Sequence, residues 1–409
     1  MASKPRTKPM TPVWTAALAA ALCAWTPAAQ AQVSDNILRI GFISDLSGIY
    51  ADYDGPAGAE AIRMAVADVG GSVAGARVEV LVADHQNKPD IAASKAREWF
   101  DTDKVDMLVG GVNSAAALAM ARVAAEKKKP YFVVGSGAAA LTNEQCTPYT
   151  VHYSYDTVAL ARSTGAALMK TGAKSWYFLA ADYAFGTALM GDTSKVVSAG
   201  GGKILGSAKH PLGATDFSSF MLQAQASKAD VLALANAGGD TINAMKAAAE
   251  FGVTKSMKVA LLITMINDIH ALGLKTTQGM YLTDSWYWNQ SPAASAWSRR
   301  FFEKFKRMPS SFQGGDYSAT LQYLNAVKAA GTDDGDKVMA QLRKMKFNDM
   351  FVKGGWLRAD GLMVHDMHLM KVKSPEKSRE PWDYYEVAQT VRGEEAWTKK
   401  AESRCALWK

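Results

Sequence analysis

The residues with chemical potential in this sequence are hydroxyls, amides, small residues and aromatics, and they recur just after apolar runs that read as strands. They are Asp45 to Tyr50 (DLSGIY), Gly111 to Ser114 (GVNS), Ser136 to Ala139 (SGAA), Asp182 to Gly186 (DYAFG), Asn236 to Asp240 (NAGGD) and Thr264 to Asp268 (TMIND). In open α/β sheets the crevice beyond the carboxyl ends of the strands is where ligands bind. Small residues let backbone N–H groups approach a ligand, and a helix N-terminus carries about half a positive charge, so such loops suit a carboxylate held without covalent chemistry. Ser114 and Ser136 read as hydroxyl donors and Ala138 as a backbone N–H donor, with Asn113 beside them. Tyr50, Tyr183 and Phe185 read as aromatic walls, and Ala237, Gly238, Asp240 and Thr264 as contacts from a second side. The competing readings are an N-cap role for Ser114 and plain packing for the three aromatics.

Catalytic and metal motifs fare worse. Gly135 to Ala140 (GSGAAA) resembles a dinucleotide loop, yet it follows the fourth strand and runs into Leu141 to Pro148 (LTNEQCTP) where a long helix is required. The sequence has no serine in a Gly-x-Ser-x-Gly context and no phosphate loop ending in Gly-Lys-Ser or Gly-Lys-Thr. His365 and His368 are the closest histidines, and a spacing of three along the strand-like run Met363 to Val372 points them to opposite faces, so both read as surface residues. Asp333 and Asp334 lie in a Gly-containing turn that explains them. The expectation is a non-enzyme with no metal and no cofactor.

These loops need a scaffold, and the sequence supplies one. Strand candidates are Leu38 to Ser44, Arg77 to Ala83, Asp106 to Gly110, Tyr131 to Gly135, Trp176 to Ala180, Val231 to Ala235, Val259 to Ile263 and Met280 to Thr283. Most are near-continuous apolar runs, as strands covered on both faces are. Helical spacing marks Gly58 to Val69 behind Pro56, Ser114 to Lys128, Thr157 to Lys170, Phe217 to Ala226, Thr241 to Phe251 and Trp297 to Lys306. The alternation predicts an α/β fold with parallel sheets. Two aromatic-rich stretches without helical period, Thr147 to Asp156 (TPYTVHYSYD) and Thr283 to Asn289 (TDSWYWN), read as crossovers between lobes.

The amino terminus has the layout of a cleavable export signal: Lys4, Arg6 and Lys8, an apolar stretch from Val13 to Trp25, then Ala29-Gln30-Ala31. An apolar core that short does not span about 30 Å of hydrocarbon as a helix, and Leu22 before Cys23 argues against lipidation. Removing those three basic residues takes the net charge from +7 to +4, and the Lys127-Lys128-Lys129 run falls at a helix end, where cations favour the dipole. Nucleic acid is therefore not an expected partner. Export leaves Cys146 and Cys405 in an oxidising compartment, where a disulfide between them is the expectation and two free thiols the alternative.

Taken in order, several segments resemble the type I periplasmic binding proteins of the leucine/isoleucine/valine kind, the substrate-binding components of ABC importers. The resemblance rests on Ile40 to Gly48 (IGFISDLSG), Gly58 to Ala61 (GAEA), Tyr131 to Ala138 (YFVVGSGA), Asp182 to Gly186, Asp216 to Ser218 (DFS) and Ala237 to Asp240 (AGGD), and it covers nearly all of the mature chain. It implies two Rossmann-like lobes with parallel sheets, joined by three crossovers, that close on a solute. Residues 1–31 are then the signal peptide, 32–152 with about 285–345 lobe one, 153–284 with about 346–390 lobe two, and 391–409 a tail tied back by the disulfide. The resemblance puts lobe-one contacts at Ser114, Ser136 and Ala138, and a lobe-two aromatic at Phe185 before Gly186. The acidic residue that takes an amino acid's ammonium is missing from Thr264-Met265-Ile266-Asn267, with Asp240 and Asp268 as imperfect substitutes, while aromatics gather at Tyr153, Tyr155, Tyr183, Phe185, Trp286, Tyr287 and Trp288. The expected ligand is an aromatic or other apolar carboxylate, with branched-chain or other amino acids as the runner-up. The expected partners are the permease and ATPase subunits of an ABC transporter, reached from the periplasm as a monomer; delivery to a chemoreceptor or sensor kinase is the alternative from another class.

Overall fold

Six strands, β1 (Ile37–Ser44), β2 (Ser72–Val73), β3 (Ala76–Asp84), β4 (Met107–Gly110), β5 (Tyr131–Val133) and β6 (Thr150–His152), make the first sheet, in the order β2-β3-β1-β4-β5-β6. The computed structural model describes residues 1–5, 7 and 33–409; the apolar stretch and the Ala29-Gln30-Ala31 sequence expected to form an export signal lie outside the described residues. All pairings in the first sheet are parallel except β2 with β3. Parallel strands need crossover helices, and these are α1 (Gly55–Asp68), α2 (Pro89–Asp101) and α3 (Ser114–Glu126). Pro56 and Pro89 each sit in a first helical turn, where the missing N–H costs nothing. The helix Ser311–Ala330 returns from far along the chain to pack on α1.

The second sheet, in the order β10-β9-β7-β8, is also parallel, built from β7 (Ser175–Ala181), β8 (Lys203–His210), β9 (Val231–Ala235) and β10 (Lys258–Leu261). Each sheet carries helices, so strands β4, β7 and β9 are buried along almost their whole length. The segment read as one helix from Thr157 to Lys170 is divided: α4 (Thr157–Leu160), a π turn at Ala161–Gly165, then α5 (Ala166–Lys170). The helices α2 and α6 (Ala184–Ala199), absent from the sequence reading like Ser311–Ala330, complete the wrapping. The helices α7 (Ser218–Ser227) and α8 (Gly239–Glu250) follow their expected segments.

Beyond β11 (Tyr281–Asp284) the chain forms a small antiparallel group, β12 (Phe347–Asn348), β13 (Lys353–Leu357) and β14 (Met363–Val364), then β15 (Met367–Val372) and β16 (Tyr385–Val391), which pair in the order β11-β15-β16. Residues 347–362 stand beside the first sheet: Leu362 bridges His152 of β6, the His152 N–H donates to the Gly361 carbonyl at 2.8 Å, and Asp349 accepts from Ser318 at 2.6 Å. This is the two-lobed α/β architecture expected. His365, expected at the surface, is buried between crossovers with Nε2 3.0 Å from the Ser154 carbonyl, because the expected strand from Met363 to Val372 breaks at 365–366.

The first crossover holds a titrating group. Asp156 caps α4 by accepting from the Ala159 N–H at 2.7 Å, its other oxygen is buried without a partner, and burial pushes its pKa up to about 7. Between the ordinary carboxylate range and pH 7 the folded chain therefore keeps a proton that the unfolded chain has lost, so this group makes stability fall as pH rises through that window. Asp156→Asn preserves the cap and removes the titration. The drop in melting temperature between pH 5 and pH 8 should be visibly smaller in the variant; an unchanged drop would refute this assignment.

Candidate functional site

The loop after β1 is held by its first residue. The Asp45 carboxylate accepts from the N–H groups of Gly48 (2.6 Å) and Tyr50 (3.0 Å) and from the Asn87 side-chain amide (2.7 Å). So fixed, the loop carries Ile49, Tyr50 and Tyr53 across to the second lobe. The hydroxyls of Tyr50 and Tyr183 lie 2.7 Å apart, the Gly239 N–H reaches the Ile49 carbonyl at 3.3 Å, and the Asn267 amide donates to the Asp52 carbonyl at 3.1 Å. Tyr53 accepts from the Gly238 N–H at 2.6 Å and donates to Asp268. Gly238 has φ +61°, and a Cβ there would strike the Ile49 carbonyl oxygen, so this approach of the lobes requires glycine.

Behind this loop the rings close around a small space. Tyr155 stacks on Phe312 with centroids 5.3 Å apart and donates to the Gly135 carbonyl at 2.9 Å. Phe312 meets the edge of Tyr53 at 5.7 Å, and Phe185 lies 6.2 Å from Tyr183. With Val112, Ala237 and Ile263 these residues line a cleft of about 10 Å³. That is about the room one water needs, so a solute enters only if the lobes separate. Burial pushes up the phenol pKa values of Tyr50, Tyr53, Tyr155 and Tyr183, which keeps all four neutral. Among the described residues, no Lys, Arg or His lines the cleft.

Outside that lining, in the residues that follow Val112 and Gly135 in sequence, is a polar pair. Ser136 donates to Ser114 at 3.0 Å and accepts from the Ala138 N–H at 3.3 Å, and both hydroxyls are buried at the N-terminus of α3. The cap of α3 is Asn113, whose Oδ1 accepts from the N–H groups of Ala115 (3.0 Å) and Ala116 (3.1 Å). Asn113, read as a ligand contact, is thus occupied with its own helix, and Ser114 is free of the capping role. The His152 ring sits 2.7 Å from the Ser136 carbonyl, with its pKa pushed down to about 4 by burial, so it donates as a neutral imidazole.

Among the second-lobe candidates, Ala237 lines the cleft and Gly238 contacts Tyr53. Thr264 donates to Asp268 at 3.0 Å and so faces the loop that holds that carboxylate. Asp240 accepts from the Gly213 N–H at 3.1 Å, and burial pushes its pKa up to about 6. Two aromatics stand apart from the cleft. Tyr153 packs among Phe132, Phe347 and Phe351 with its hydroxyl 2.7 Å from Ser318, and Trp286 donates from Nε1 to the Met350 carbonyl at 3.0 Å while stacking on Phe351. Both belong to the packing of the crossovers.

Tyr53 and Phe312 lay outside the sequence reading, Gly135 and Ile263 were read only as strand ends, Val112 lay in the expected loop without a role of its own, and Tyr155 takes a larger part than its place among the clustered aromatics indicated. The spacing of three between Tyr50 and Tyr53 was a usable signal. Phe312 gave none, because it begins a helix that no strand precedes.

Two α/β lobes meeting over a lined cleft at the carboxyl ends of their strands define a protein that captures a solute by closure. The chain belongs to the periplasmic binding protein family, whose model matches residues 37–378. It is similar to the crystal structure of a periplasmic binding protein from Burkholderia mallei, at 63% identity over 92% of this chain and 100% of that one, with a TM-score of 0.91. It is similar at 38% identity to a branched-chain amino acid ABC transporter periplasmic ligand-binding protein from Burkholderia xenovorans, over 91% of this chain and 100% of that one, with a TM-score of 0.80. A solute-binding protein of an ABC transporter from Rhodopseudomonas palustris, in complex with 3,4-dihydroxybenzoic acid, is 25% identical over 88% of this chain and 98% of that one, with a TM-score of 0.77. No protein with a curated description matches the chain.

Proposed function

We propose that this chain is the solute-capturing component of an ABC importer and that its solute is a small aromatic carboxylate. The observation that carries this reading is the composition of the cleft, whose lining among the described residues is aromatic rings and small or aliphatic residues with no side-chain cation; the serine pair at the N-terminus of α3 follows the lining residues Val112 and Gly135 in sequence. A carboxylate is then held by Ser114, Ser136, the Ala138 N–H and the α3 dipole, and an aromatic body slots between Tyr50, Tyr155, Tyr183 and Phe185. Each aromatic contact is worth about 0.5–1.5 kcal/mol beyond its buried area. The Rhodopseudomonas relative, which binds a dihydroxybenzoic acid, supports the same class. A solute stabilises the closed form by its differential affinity for it, and the permease reads that form. The mature chain begins at Gln32, acts in the periplasm as a monomer, and divides its lobes at 153–156, 285–291 and 365–366, so that 347–364 belongs with lobe one.

The second reading, a branched-chain amino acid, is favoured by the Burkholderia xenovorans relative at 38% identity. One experiment separates the two. The purified mature chain is melted with benzoate, 4-hydroxybenzoate, 3,4-dihydroxybenzoate and leucine, and co-purifying solute is identified by mass spectrometry. A ligand at a hundred times its Kd adds about 2.7 kcal/mol. A response to the benzoates alone is expected; a response to leucine alone would transfer the function to the second reading.

A further inference from the structure

We propose that Tyr53 sets the charge preference of the cleft: its hydroxyl plugs a donor–acceptor pair, the Gly238 N–H and the Asp268 carboxylate, and so denies that pair to an ammonium-bearing ligand. The inference deepens the capture of a carboxylate proposed above and rests on that reading only for the identity of the site. Its basis is a hydroxyl used on both sides: it accepts from the Gly238 N–H at 2.6 Å and donates to Asp268, which stands 215 positions away on the other lobe. Asp268 is 1% exposed and takes two further hydrogen bonds, from Thr264 Oγ1 at 3.0 Å and the Met265 N–H at 2.9 Å. Burial pushes its pKa up to about 6, against the pull of the three hydrogen bonds, so near pH 7.5 the carboxylate is mostly ionised.

That places a negative charge directly behind the wall of a cleft meant for an anion. Tyr53 lines the cleft and Asp268 does not, so the phenol is the screen between them. The ring is held independently of its hydroxyl, stacked on Tyr50 at 6.3 Å and edge-on to Phe312 at 5.7 Å, so a phenylalanine fits the same position. Without the hydroxyl, the Asp268 carboxylate has one bonding direction open to the cleft. An ammonium can take it, and a carboxylate is repelled by it. A hydrogen bond to a charged group is worth about 1.5–3 kcal/mol, or roughly 10- to 100-fold in affinity.

The test uses the mature chain, Tyr53→Phe and Tyr53→Phe with Asp268→Asn, titrated calorimetrically at pH 7.5 with benzoate and with benzylamine, after circular dichroism and melting show each folded. Tyr53→Leu, which also lacks the hydroxyl, serves if the phenylalanine variant does not fold. The expected result is that Tyr53→Phe gains at least about tenfold in benzylamine affinity and loses about tenfold for benzoate, and that Asp268→Asn cancels the gain. A folded hydroxyl-less variant with no benzylamine gain overturns the inference, as does a gain that survives Asp268→Asn. If the unaltered chain ignores benzoate and related acids while the variant still gains benzylamine, the carboxylate reading fails and the masking of Asp268 stands.

Discussion

Changing Ser114 and Ser136 together to alanine is expected to weaken binding of a benzoate-type acid by roughly 100-fold, about 3 kcal/mol, with little change in melting temperature. The hydroxyls are the polar side chains placed at the start of α3 without duty to that helix, since Asn113 supplies its cap. They hydrogen-bond each other, so the single variants are expected to be non-additive. Asn113→Ala provides the contrast: losing a cap costs about 1 kcal/mol of stability, while the serines remain to bind. Calorimetric titration of the four variants measures affinity, and their melting measures stability. A double-serine variant with unaltered affinity would mean that the carboxylate sits elsewhere.

Removing the disulfide is expected to lower stability by roughly 3–5 kcal/mol, seen as a melting temperature about 4–6 °C lower in Cys146→Ala with Cys405→Ala. The bond joins residues 259 positions apart, with Cα atoms at 5.7 Å, so the denatured chain gains much freedom when it is cut. Its neighbours make the tail a strap across both lobes: the Arg404 N–H donates to Asn143 and its guanidinium pairs with Glu144, while Arg162 of the π turn donates to the Trp397 carbonyl and to Glu402. Limited proteolysis should cut the tail of the variant first. Unchanged melting and unchanged cleavage would show that the strap holds without its bond.

Legibility in the sequence followed the range of each interaction. The strand runs from Leu38 to Ser44 and Val231 to Ala235 were readable because strands covered on both faces must be apolar throughout, a local property. The loops after the strands could be found for the same reason, and Ser114, Ser136, Tyr50, Tyr183, Phe185 and Ala237 come from them. Helix α6 was hidden because Gly186 and Gly191 interrupt its pattern, yet Gly186 is there for contact: a Cβ would collide with the Ala181 carbonyl. Trp286 and Tyr153 show the converse. Their aromatic character marked them for the cleft, but an indole N–H and a phenol also satisfy buried crossovers, and composition does not distinguish the two.

The sequence by itself determined the α/β alternation and the set of strand-end loops from which a cleft is made, because periodicity is carried by the chain order; it left the pairing of Cys146 with Cys405 as an expectation, which the structure contains. Only the tertiary structure decided which members of those loops meet: that Asn113 caps while Ser114 does not, that Phe312 closes the cleft from a distant helix, and that Tyr53 of one lobe covers Asp268 of the other. Those choices are made by packing and by the need of each buried polar group for a partner, which are properties of the assembled lobes and of no single segment.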